Sequence, residues 1–84
     1  MEDEIGKITH YFSKIDVGII KLAKGKLKVG DTIRIKGHTS DLTQEVNSLQ
    51  MEHEPVDSIS AGDEAGLRVK SPVRVKDKVF LVTE

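Results

Sequence analysis

The chain has 84 residues, 37% hydrophobic and 32% charged, with a formal net charge of −1 and no cysteine. That length carries one domain with a small core, and the composition is too apolar for disorder. Without cysteine there are no disulfides, thiolate metal sites or cysteine nucleophiles; no apolar run nears the ~20 residues of a membrane span, and the acidic start has the wrong sign for a signal peptide, so a cytoplasmic protein with no membrane partner is expected.

Residues 1–4 read as a disordered acidic N-terminus and residues 5–84 as one β-barrel domain. Ile5–Phe12 predicts a strand, with Ile8 and Phe12 on one face and Tyr11 on the other. Ser13–Asp16 predicts a turn into a second strand, Val17–Leu22, which is apolar on both parities and therefore covered on both sides or bulged at Gly18. Ala23–Gly30 reads as a loop with Leu27 and Val29 tucked inward and Lys24, Lys26 and Lys28 outward.

The most legible stretch is Leu27–Gly37. Val29-Gly30-Asp31 is turn chemistry, because glycine takes positive φ freely and aspartate bonds its own following backbone. Thr32, Arg34 and Lys36 then alternate with Ile33 and Ile35, a half-buried strand with a basic outer face. His38-Thr39-Ser40-Asp41 is a polar loop of the kind that carries function on rigid barrels.

Leu42–Glu54 supports two readings. Leu42, Val46, Leu49 and His53 recur at helical spacing, and Asp41 with Gln44 imitates a capping box. The alternative is a strand with one parity slip between Val46 and the Leu49/Met51 pair. Pro55 closes this element, Gly62-Asp63 makes a second tight turn, and Glu64–Lys70 alternates with Ala65, Leu67 and Val69 inward. Ser71-Pro72 and Val75-Lys76-Asp77 are further turns before a last strand, Val79–Val82. Such spacing of turns predicts an all-β barrel.

Two segments carry a family resemblance. Gly25-Lys26-Leu27-Lys28-Val29-Gly30-Asp31 resembles the Gly-x-aliphatic-Lys-Val-Gly-Asp turn of the second domain of translation-factor GTPases such as elongation factor Tu. Ala61-Gly62-Asp63-Glu64-Ala65-Gly66-Leu67 resembles that domain's Ala-Gly-Asp-x-x-Gly-Leu segment, at a compatible separation. The resemblance implies a small, closed or nearly closed antiparallel barrel, and it places a long strand over Leu42–Glu54, deciding that segment for strand. A barrel of similar sequence also resembles the C-terminal domain of some collagenase-like peptidases.

The chemistry expected is binding. No phosphate loop is present: between Gly18 and Gly25-Lys26 lie six residues instead of four, so no nucleotide is expected. His10, His38 and His53 lie in different elements, and no serine stands in a nucleophile-elbow context, so neither a metal, a cofactor nor an enzyme activity is expected. Charge is segregated: residues 7–36 carry +6 and residues 37–66 carry −7, which reads as neighbouring strands pairing opposite signs or as a dipolar surface. The candidate site is basic: Lys21, Lys24, Lys26, Lys28, Arg34, Lys36, Arg68 and Lys70, with Tyr11 and His38 for stacking. The resemblance gives it a partner, tRNA or ribosomal RNA. The alternative is a protein-interaction barrel docking in trans on a GTPase or peptidase.

Overall fold

The computed structural model describes residues 2–38 and 40–83. These residues form ten strands, with no helix among them. The strands are β1 (Glu2–Phe12), β2 (Val17–Leu22), β3 (Lys26–Lys28), β4 (Thr32–Lys36), β5 (Asp41–Glu45), β6 (Leu49–Met51), β7 (Glu54–Val56), β8 (Ser58–Ser60), β9 (Glu64–Arg68) and β10 (Lys78–Val82). Eight form one antiparallel sheet in the order β5-β4-β10-β1-β2-β9-β6-β7, and β3 pairs with β8 apart from it. The all-β, nearly closed barrel expected from the sequence is the fold observed.

Alternation along the strands fills one core. Ile33 and Ile35 of β4, Ile20 and Leu22 of β2, Ala65 and Leu67 of β9, and Val79 of β10 are all buried. Leu27 of β3, Leu49 of β6 and Ile59 of β8 complete it. Strand β1 lies at the centre of the sheet and is bulged twice, between Glu4 and Gly6 against β10 and between Ile8 and His10 against β2. Each bulge shifts the parity of the residues beyond it. Ile5 and Ile8 are therefore both buried, while Phe12 faces out, half exposed, instead of sharing a face with Ile8. The expected bulge at Gly18 belongs to β1 instead, and β2 runs regularly.

Three turns share one construction. Lys28–Asp31, Ser60–Asp63 and Arg74–Asp77 each return an amide to the first carbonyl, at 3.1, 3.0 and 3.1 Å. In each, the closing aspartate accepts from the first residue's amide, at 3.0, 3.0 and 2.9 Å. The third position has positive φ in all three: Gly30 at 101°, Gly62 at 95° and Lys76 at 78°. Glycine adopts that conformation without strain and lysine does not.

The segment over Leu42–Glu54 is extended, but it is two strands and a turn. Strand β5 pairs with β4, whereas β6 pairs with β9 on the far side of the sheet, so the chain crosses the barrel mouth at 46–48. Buried Gln44 bridges the seam: Nε2 donates to the Arg68 carbonyl at 2.9 Å, and Oε1 accepts from the Lys70 amide at 2.9 Å. This side-chain amide substitutes for a strand pair that the geometry omits.

Three further expectations are corrected. Glu2–Glu4 are not a frayed terminus but part of β1, opposite Val82, Leu81 and Phe80, whose pairing holds them; Met1 lies outside the described residues. Val29 is 42% exposed, because the first turn carries it outward while only Leu27 enters the core. Pro55 sits inside β7 without ending the element, since β7 is an edge strand and needs no outward amide. The polar loop is closed by a Gly37 amide to Ser40 carbonyl bond of 2.7 Å, with Ser40 buried; Thr39 lies outside the described residues.

Candidate nucleic-acid interface

The ten candidate residues do not form one surface. Lys26 and Lys28 point outward from β3, opposite Ser60 and Ser58 on the separate two-stranded sheet, and exposed Lys24 precedes them. Arg68 lies opposite Val17, four residues along β2 from Lys21, and Lys70 follows beyond the end of β9. The Tyr11 hydroxyl lies 3.4 Å from Asp16 Oδ1. Partial desolvation, then the Asp16 carboxylate, holds that phenol above its ordinary range.

Arg34 is already engaged. Its Nε and Nη2 donate to the two Asp41 carboxylate oxygens at 2.9 and 2.8 Å, and Nη1 reaches Glu2 at 3.2 Å. This fork holds the Asp41 carboxyl below the usual range, chiefly through the hydrogen bonds from Arg34. Charge segregation along the sequence thus resolves into pairing at this point.

Lys21 and Lys36 are placed differently. Register sets Lys36 of β4 opposite Lys78 of β10, Lys78 opposite Lys7 of β1, and Lys7 opposite Lys21 of β2. Four lysines therefore stand in one rung across four adjacent strands, all exposed. At three inter-strand steps the rung spans about 14 Å. Asp41 closes one end, opposite Lys36, and Glu64 the other, opposite Lys21. Within the rung, Lys78 has an ion pair with Glu4 at 3.8 Å, both side chains more than half exposed, which is weak. Among the described residues no other ion pair touches the rung.

Like charges placed directly opposite destabilise a sheet, by roughly 0.2–1 kcal/mol per pair. Three consecutive pairs are a sustained cost that folding alone does not require. Half-buried Phe80 shares the outer face two residues beyond Lys78, and a shallow concavity brings Lys36, His38, Lys76, Lys78 and Phe80 together. Lys7 and Lys78 were not legible as site residues, because they meet only through the pairing of the first strand with the last. Among the described residues no cluster of three or more His, Asp or Glu could hold a metal ion, and no helix is long and apolar enough to cross a membrane.

The family model for elongation factor Tu domain 2 matches residues 16–72, and the chain belongs to that family. It is 37% identical over 82 residues to an uncharacterized protease of Methanocaldococcus jannaschii, and 32% identical over 77 residues to a collagenase of Porphyromonas gingivalis. These alignments cover 96% and 90% of this chain but only 20% and 21% of the relatives, so the chain spans about a fifth of their length. Among solved structures, the C-terminal domain of a candidate U32 peptidase from Geobacillus thermoleovorans superposes with a TM-score of 0.88, covering 96% of this chain and 93% of that one. Its selenomethionine variant gives 0.85, covering 92% and 96%. At 14% and 15% identity these two share the fold.

Proposed function

We propose that this chain is a non-catalytic binding module that holds tRNA or ribosomal RNA against its solvent face through the rung Lys36-Lys78-Lys7-Lys21. The observation that carries the reading is the rung itself: four cations aligned by register, with one weak ion pair to them among the described residues. Lysine neutralises phosphate as a point charge and releases its counterions, and the neighbouring Phe80 and His38 rings offer stacking to an unpaired base. Membership in a translation-factor domain family supports the same partner class. The likeness to a peptidase C-terminal domain supports an accessory, non-catalytic role.

The test is the salt dependence of binding to fluorescently labelled unfractionated tRNA. Changing Lys7, Lys21, Lys36 and Lys78 together to Gln should flatten the log–log slope by about 3, at 0.7–0.9 per phosphate contact. The same variant should melt higher than wild type, because three like-charge pairs disappear. Changing Lys24, Lys26 and Lys28 to Gln should leave the slope within about one contact of wild type. Equal losses in the two variants, or no binding by wild type at about 50 mM salt, would overturn the proposal.

A further inference from the structure

A second surface lies at the other end of β1 and β2. Beyond the Ile8/His10 bulge, Phe12 turns outward, and Ile15 in the following turn is 58% exposed. With Val17, Ile19 and Gly66 they line a shallow apolar groove of about 250 Å³, closed on its far side by the β6–β7 turn at His53. Val17 and Ile19 pack over Gly66, where an added Cβ would stand 3.3 Å from Val17 Cγ1. The His10 and Phe12 rings stack at the hairpin with centroids 6.4 Å apart. Phe12 is five residues from Lys7, about 17 Å along the strand, and none of the four rung lysines lines the groove; the two surfaces meet where Glu64, at the groove edge, stands opposite Lys21.

Two features mark the groove as more than leftover apolar surface. First, the turn that walls it has Glu52 at φ 52° and His53 at φ 67°, both left-handed and neither glycine. A two-residue hairpin turn of that kind favours Asn-Gly, and strain of this sort concentrates at binding sites. Second, the charged side chains lining the groove are the carboxylates Glu52 and Glu64, with no lysine or arginine among them. Glu64 is steadied by the Thr9 hydroxyl, at 3.0 Å. Arg68 lines the adjoining groove, past Gly66. Carboxylates beside an apolar floor repel a phosphate backbone and suit an apolar side chain flanked by cations.

We infer that this groove docks a partner protein through a short segment in which apolar residues are flanked by lysine or arginine. The inference is independent of the RNA reading, because it uses none of the rung residues. The module then has one surface for RNA and another for a protein.

The test is an amide chemical-shift titration of the isotope-labelled chain with a blocked peptide, Lys-Arg-Leu-Val-Leu-Arg-Lys. The controls are its charge-reversed analogue, Glu-Asp-Leu-Val-Leu-Asp-Glu, and oligouridylate. Saturable shifts at Phe12, Ile15, Val17, Ile19, His53 and Gly66 with the basic peptide alone are the expected result. Phe12→Ser, at an exposed hairpin position, should weaken binding at least tenfold with the rest of the spectrum preserved. The paired change Glu52→Asn with His53→Gly should raise the melting temperature while weakening binding. The inference is overturned by equal binding of the acidic peptide, by groove shifts with oligouridylate in place of peptide, or by no groove shifts at millimolar peptide. Rung shifts with oligouridylate together with no groove shifts with the basic peptide would leave the RNA reading standing while removing this one.

Discussion

Replacing Gln44 by Met tests how the barrel is held shut. The side chain is 3% exposed and joins β5 to the chain leaving β9 through two bonds of 2.9 Å. Methionine keeps the length and removes both bonds, leaving the Arg68 carbonyl and the Lys70 amide without partners. Each unsatisfied group costs about 1–3 kcal/mol. Both residues have exposed side chains, so water reaches part of the gap and the lower half of that range applies. Burying a thioether returns about 1 kcal/mol. The expected net loss is about 1–3 kcal/mol, or roughly 5–20 °C in Tm for a chain of this size. Urea unfolding should show a lower midpoint at unchanged m-value, and hydrogen exchange at the Lys70 amide should accelerate more than at Val79 in the sheet centre. A loss below about 0.5 kcal/mol, the scale of an ordinary surface change, or unaltered exchange at Lys70, would refute the seam argument.

Two further outcomes rest on named residues. Lys76→Gly should stabilise the fold by about 1 kcal/mol, because position 76 is the third of the matched turns and alone lacks glycine; thermal unfolding measures it, and a lower Tm would show that the lysine side chain matters more than its φ. The Arg34–Asp41 pair should add stability that is complete above the unfolded aspartate value of about 3.9 and lost as pH falls through the lower folded value; the urea midpoint of Asp41→Asn should therefore fall less than that of wild type between about pH 5 and about pH 2, and parallel curves would mean that the pair contributes nothing.

The sequence by itself determined the elements whose signal is local. Thr32–Lys36 and Glu64–Arg68 are strands because their period-2 alternation can bury only one face, and the Gly-Asp pairs before them make turns because of their own backbone chemistry. The family was legible for the same reason, since both matching segments are such turns with the strands they launch. Tertiary structure decided what depends on partners distant in the chain. The two bulges of β1, which send Phe12 outward, arise from fitting one strand between two neighbours of different register. The helical spacing over Leu42–Glu54 came from a strand that leaves one side of the sheet, crosses the mouth and rejoins it on the other, each half burying its own parity. The lysine rung lies furthest from local reading. Lys7, Lys21, Lys36 and Lys78 stand far apart along the chain, and only the register of β4, β10, β1 and β2 sets their charges side by side.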